Sequence, residues 1–186
     1  MRISIKGHHG TSQDSAESII QSDFRLSKGD KEWLGDGVYF FVKGISSNTV
    51  DLARKWAVAE AWDNRLKRNT YRNYCVIESE IKVEEAHFLD LTTEEGVKIL
   101  DYLVDKFIEQ IEKTGRTLRY VDGLILNLAR KEKILPIEVV KGNFYIKFAK
   151  ERIKRINLRT SNCTICTVYV PDKNIVQNRI ITTGKI

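Results

Sequence analysis

The sequence predicts an α+β fold in which helices flank a mostly antiparallel, split β-sheet. Three observations predict it. Arg2 to Lys6 sets Ile3 and Ile5 against polar neighbours, and Tyr74 to Val83 places Val76, Ile77, Ile81 and Val83 in a second alternating run, as half-buried strands require. Val50 to about Leu66 and a later stretch beginning at Thr92 space their apolar residues at helical intervals. After Pro136 the chain turns β-rich: Val139-Val140, Phe144 to Phe148, Cys163 to Val170 and Asn174 to Thr182. The order is strand, helix, strand, helix, strand, helices, then strands, which suits an α+β sheet rather than regular βαβ winding.

Taken in order, the first strand delivers His8 and His9 to its end. Thr11-Ser12-Gln13-Asp14 supplies helix-capping chemistry, and Ala16, Ile19 and Ile20 mark one apolar helix face. Phe24 to Asp30 reads as an irregular polar connection into Trp33. Val38-Tyr39-Phe40-Phe41 then reads as a short, largely buried strand. Ser46-Ser47-Asn48-Thr49 offers a cap for the helix carrying Leu52, Ala53, Trp56, Ala57, Ala59, Ala61 and Trp62. Its predicted end is basic, with Arg65, Lys67, Arg68 and then Arg72, as a helix C-terminus favours. Phe88 to Leu91 closes the following strand unit. Thr92-Thr93-Glu94-Glu95 opens a longer helix whose face runs from Val97 through Leu103 and Phe107 to Ile111, with Gly115 at its end. Val121 to Lys131 predicts another helix, and Pro171-Asp172 a turn between the last two strands.

With 186 residues, 42% hydrophobic and 30% charged, the chain has enough apolar surface for a substantial core. Two prolines and no Ser/Gly-rich run leave no obvious linker, so residues 1–186 are expected to form one domain. No signal-peptide pattern opens the chain and no apolar run is long enough for a bilayer, so no membrane partner and a cytoplasmic location are expected. Cys75, Cys163 and Cys166 read as buried reduced thiols, because Cys163-x-x-Cys166 lacks a second pair to complete a zinc site. No metal is expected. The net charge of +6 favours polyanionic partners.

Two stretches carry candidate chemistry: Gly7-His8-His9-Gly10-Thr11 and Trp33-Leu34-Gly35-Asp36-Gly37-Val38-Tyr39. Glycine lets backbone turn sharply and approach a ligand closely. His9 can hydrogen-bond a sugar hydroxyl, and Gly10 can present backbone N–H and C=O to a carboxamide. Tyr39 can stack on a pyridinium ring whose charge its quadrupole favours, with Trp56 as a second aromatic. Each residue also has an ordinary structural explanation: a polar turn for the histidines, core packing for Tyr39 and Trp56.

Together, His9-Gly10-Thr11, the helix after it, Ser27, Leu34-Gly35-x-Gly37-Val38-Tyr39-Phe40 and the Ala-rich helix resemble the first half of an ADP-ribosyltransferase catalytic domain, of the poly(ADP-ribose) polymerase and diphtheria-toxin type. The resemblance spans roughly residues 5 to 60. It implies NAD as co-substrate, with His9 on the ribose, Tyr39 stacked on nicotinamide, Trp56 completing the clamp, and Gly10, Thr11 and Gly37 around them. It also implies mono-ADP-ribosyl transfer to a nucleic acid, RNA for example, or to a protein. A small bacterial or phage-related toxin or defence effector, with a neutralising antitoxin as a further partner, fits that context.

The sequence departs from the family at the third catalytic position, where a late strand usually starts with Glu or Gln. Ser161 to Val170 contains no acid. Thr164 lies nearest the family pattern, with Asn162 one alternation away and Glu138 and Gln177 as substitutes from elsewhere. A catalytically silent domain that binds NAD, ADP-ribose or nucleic acid is the alternative. A third reading is a basic α+β nucleic-acid-binding protein with Tyr39 and the tryptophans as core, and the basic run at Arg65–Arg72 is then a solvated helix end.

Overall fold

A computed structural model describes residues 1–29, 32–115 and 119–186. Asp30, the last residue of the expected irregular connection, lies outside the described residues. The chain forms the predicted α+β fold, built on a seven-stranded sheet in the order β6-β7-β8-β2-β1-β5-β9. These strands are β1 (Arg2–Ser12), β2 (Val38–Val42), β5 (Asn73–Glu84), β6 (Phe88–Asp90), β7 (Val139–Phe144), β8 (Cys163–Val168) and β9 (Ile175–Lys185). Every neighbouring pair is antiparallel except β6 with β7.

The sheet is held unevenly at its centre. β1 pairs with β5 along its whole length, from Arg2 opposite Glu84 to Ser12 opposite Tyr74. Against β2 it makes only the pairs Gly7–Val42 and His8–Phe41 before the strands part. The sheet therefore splits between β1 and β2 at the level of His9 and Gly10.

Alternation of side chains gives the sheet two buried faces. On one, α2 (Thr49–Ala61), α3 (Glu94–Glu112) and α4 (Asp122–Lys131) pack Ala53, Leu103, Phe107, Ile125 and Leu126 against Phe41, Val76 and Ile165. On the other, α1 (Gln13–Gln21) packs Ala16 near Phe24, Phe40, Ile77 and Val168. Two caps follow the sequence signals: Ser12 Oγ accepts from the Ser15 N–H, and Thr93 Oγ1 accepts from the Gly96 N–H. Gly115, at φ +69°, ends the α3 region in the left-handed conformation. All three cysteines are buried and free, and Cys163 and Cys166 fall in different faces of the core, too far out of phase to share a bond or a metal. Among the described residues, no helix is long and apolar enough to cross a membrane.

Four boundaries differ from the sequence expectation. β1 runs on to Ser12 instead of ending at Lys6, so His8 and His9 lie within the strand and not at its end. The second helix stops at Ala61 rather than near Leu66, because Thr70 N–H and Thr70 Oγ1 both donate to the Ala61 carbonyl and Tyr71 Oη donates to that of Ala57. The basic residues after it lie on a two-stranded hairpin, β3 (Trp62–Asp63) and β4 (Arg68–Asn69), and not on a helix end. Phe144 to Phe148 is not a strand of its own. Phe144 ends β7, and the Asn162 side chain takes both the N–H and C=O of Ile146, drawing the chain off the sheet. Past β8, a single helical turn, Pro171–Asn174, replaces the expected simple turn.

Candidate functional site

The split between β1 and β2 opens into a cleft of about 350 Å³. His9, Gly10, Gly37, Tyr39 and Trp56 all line it. Its walls come from both sheet faces: Val38 and Phe40 from one, Phe41, Ile146 and Ile165 from the other. The cleft thus threads the gap in the sheet instead of lying on top of it.

His9 is fixed at the mouth of the split. Its Nδ1 lies 2.9 Å from the Tyr39 carbonyl oxygen, and its ring stands edge-on to Phe24 and Phe40. A carbonyl only accepts, so Nδ1 carries the proton and Nε2 is left as an acceptor. Burial pushes the His9 pKa below its ordinary value, against the pull of that carbonyl, which keeps the ring neutral near pH 7. His8 points the other way: its Nδ1 meets Thr49 Oγ1 at 2.8 Å and its Nε2 faces Glu78 at 3.4 Å. It anchors the first turn of α2 to the sheet, so the two histidines do not form one ligand pair.

Gly10 is glycine for a packing reason. A Cβ there would overlap the Ala53 carbonyl oxygen, so α2 rests directly on the β1 backbone. That contact brings the last turns of α2, with Trp56 and Glu60, over the cleft. Thr11 continues β1 opposite Cys75 and is not among the lining residues.

The Trp33–Gly37 turn is tied from three elements. Tyr39 Oη donates to the Gly35 carbonyl and accepts from the Leu34 N–H, at 2.7 and 2.9 Å. Asn127 of α4 accepts from the Asp36 N–H through Oδ1 and donates to the Asp36 carboxylate through Nδ2. Tyr169 Oη donates to the Leu34 carbonyl. Gly35 takes φ +79°, which a side chain would strain. Gly37 exchanges both backbone hydrogen bonds with Ser27, so the connection before the turn is stitched to the start of β2. Tyr39 therefore has its hydroxyl committed to the turn and its ring on the cleft. Desolvation of that hydroxyl raises its pKa far above the ordinary tyrosine range.

The aromatic wall is larger than the sequence suggested. Trp33 stacks on Phe144 with centroids 5.4 Å apart and meets Trp56 edge-on at 6.4 Å. Arg152 lies over the Trp56 ring at 5.6 Å and pairs with Glu60 at 2.9 Å. Arg25, Glu32 and Glu60 supply the charged groups of the lining.

Thr164 stands away from the cleft. It is paired with Val42 on the opposite face of the sheet from Tyr39 and Ile165, where Oγ1 donates to Asn143 and accepts from the Ile45 N–H. Ile165 is the β8 residue on the cleft. Asn162 is spent on Ile146, and Glu138 is engaged by Lys173, Asn174 and His87. Gln177 sits on the far edge strand β9. None of the four reaches the lining.

The uncharacterized protein MJ0359 of Methanocaldococcus jannaschii is 31% identical over 173 residues, covering 84% of this chain and 76% of its own length. The chain belongs to the MJ0359 family. No family model matches the chain, and no solved structure matches it. In this member of the MJ0359 family, the cleft is assembled from segments spread between residue 9 and residue 165. Sequence reasoning found His9, Gly10, Gly37, Tyr39 and Trp56. It missed Arg25, Glu32, Glu60, Ile146 and Ile165 as lining residues, and only the i, i+4 spacing of Glu60 from Trp56 could have signalled one of them.

Proposed function

We propose that the chain is an NAD-dependent mono-ADP-ribosyltransferase whose site is the cleft at the sheet split. The observation that carries this reading is the convergence of His9, Gly10, Tyr39 and Trp56 on one cavity, although they come from three elements. The residues fit the nicotinamide end of NAD. The β1 backbone past His8 has no strand partner on its β2 side, so it is open to a carboxamide. Neutral His9 offers Nε2 to a ribose hydroxyl, the Tyr39 and Trp56 rings offer faces for a cationic pyridinium, and Arg25 offers charge to a diphosphate.

In the reaction, the bond between nicotinamide nitrogen and the ribose anomeric carbon breaks, its electron pair leaving with nicotinamide. A nucleophilic atom of the acceptor bonds to that carbon and gives up its proton. The protein supplies position and exclusion of water by its aromatic walls. Thr164 is given no part, because it lies on the other face of the sheet. In this reading the transfer proceeds without a glutamate at the usual late-strand position, where Ile165 meets the cleft. Glu32 and Glu60 are the carboxylates of the cleft lining, Glu32 accepting from Ser27 and Glu60 paired with Arg152.

A silent module that binds NAD without breaking it is the second reading, favoured by the apolar Ile165 at the β8 position on the cleft. The test is nicotinamide release from NAD by the pure protein, with and without RNA, DNA or protein acceptors, beside Tyr39→Ala and His9→Ala. Release that both substitutions abolish is the expected result. NAD binding without release selects the silent module, and absence of both binding and release overturns the proposal.

A further inference from the structure

We infer that the β3–β4 hairpin and the adjoining end of β9 form a docking surface for single-stranded nucleic acid. The hairpin follows α2 directly and carries Arg65, Lys67 and Arg68, with Arg72 just beyond. Lys185 of β9 pairs with Asn73 and completes a groove lined by Arg68, Asn69, Arg72, Asn73 and Lys185. All of these side chains are exposed. A solvated helix end does not explain the run, because the helix has already stopped at Ala61.

Charge is concentrated here on one short segment. Some cations elsewhere meet carboxylates, among them Arg2 with Glu84, Arg54 and Lys55 with Asp51, Lys98 with Glu94, and Arg179 with Glu78. Arg65, Lys67, Arg68, Arg72 and Lys185 pair with no carboxylate among the described residues. The one acid of the hairpin, Asp63, turns its Oδ1 inward to the N–H groups of Arg65 and Leu66. The turn is thereby fixed and its cations stay free for an outside polyanion.

Trp62 selects among polyanions. It is 49% exposed, opposite Asn69 on the same hairpin, and presents a flat apolar face among the cations. Stacking platforms beside positive grooves are how proteins hold unpaired bases, whereas a paired duplex hides base faces and a polyacidic peptide has none. The surface also lies near the cleft. Gly10 pairs with Val76, and Asn73 is three residues further along β5, about 10 Å at the rise of a strand. A strand docked on the hairpin would run past Glu60 and Trp56 towards the cleft mouth.

The experiment is fluorescence anisotropy with labelled 12-nucleotide RNA and DNA strands, a matching duplex and a polyglutamate peptide of similar length, all without NAD. Engagement of three phosphates predicts a log–log salt slope near −2, a weakening of about 20-fold between 50 and 200 mM salt. The double variant Arg68→Glu/Arg72→Glu is expected to lose at least about tenfold in affinity, and Trp62→Ala several-fold with the charges intact. Lys98→Glu on α3, with circular dichroism as a fold check on every variant, controls for charge reversal away from the hairpin and is expected to change affinity less than twofold. Three results would each overturn the inference: no salt-dependent binding of either single strand, polyglutamate or duplex binding as tightly, or Lys98→Glu weakening binding as much as the hairpin pair. Trp62→Ala without effect would remove the single-strand preference and overturn it in that form. Because NAD is absent, failure here leaves the transferase reading untouched, and failure of nicotinamide release leaves this surface untouched.

Discussion

The cleft and the hairpin are joined by α2 yet are built on opposite terms. Around the cleft, turns are held by backbone contact and by hydrogen bonds from distant elements: Gly10 under Ala53, Asp36 on Asn127, Leu34 on Tyr169. The hairpin has its own two-stranded ladder, one aspartate turn and exposed charge. Rigid geometry belongs where a small molecule must be oriented, and free charge belongs where a flexible polymer must be caught. Substitutions should therefore cost stability at the cleft and leave it unchanged at the hairpin.

The largest expected effect is at Gly10. In Gly10→Val the new side chain meets the α2 backbone, which cannot step aside without losing the packing of Ala53 and Ala57, so a loss of about 3 kcal/mol or more is expected. Urea unfolding measures it. A variant as stable as the parent would show that α2 is not seated on β1. Next come the ties of the turn. Asn127→Ala removes two hydrogen bonds to Asp36 and Tyr39→Phe strands the Leu34 N–H and Gly35 carbonyl, each expected to cost about 1–2 kcal/mol. Tyr39→Phe keeps the ring, so nicotinamide release should fall far less than in Tyr39→Ala. Equal losses would mean that the hydroxyl, not the ring, serves the site.

These sites differ in how far the sequence reveals them. β1, β5 and α3 follow their periodicity because each lays one clear face on the core. His9, Gly10 and Tyr39 were legible because glycine next to a polar or aromatic residue marks close backbone approach. The end of α2 was not, since Arg65, Lys67 and Arg68 suit a helix as well as a hairpin, and the hydrogen bonds from Thr70 and Tyr71 that stop it come from further on. The choice between Thr164 and Ile165 was not legible either. A strand's two faces differ by one residue, and only the pairing of Tyr39 with Thr167 across β2 and β8 fixes which residue meets the cleft.

The two histidines of β1, one on the cleft and one under α2, give a pH signature. Both pKa values lie below the ordinary 6.5, chiefly from burial. Glu78 pulls His8 upward, Lys6 pushes it down, and the Tyr39 carbonyl pulls His9 upward, but burial prevails. Below pH 6.5 the unfolded chain takes up protons that the folded one resists. Stability is therefore fully present above that pH and falls as acid is added, with a slope of about 1.4 kcal/mol per pH unit for each proton withheld. Glu78, Asp90 and Glu138, held below their usual values, add their loss only at lower pH. Urea midpoints between pH 8 and 5 should fall in the parent and fall less in His8→Gln or His9→Gln. A flat parent profile would show that neither ring is held neutral by the fold.

The smallest expected effect sharpens the contrast most. Arg68→Glu/Arg72→Glu changes the net charge by four yet removes no ion pair among the described residues, so stability should shift by less than about 0.5 kcal/mol. Reversal also relieves repulsion among Arg65, Lys67, Arg68 and Arg72, so any shift should be towards greater stability at low salt, vanishing as salt screens it. Thermal unfolding at two salt concentrations measures both. A clear loss of stability would mean that these arginines hold the hairpin to the body. A small gain, confined to low salt, is what clustered charge kept for an outside partner produces: the isolated fold tolerates the repulsion, and a bound polyanion would relieve it.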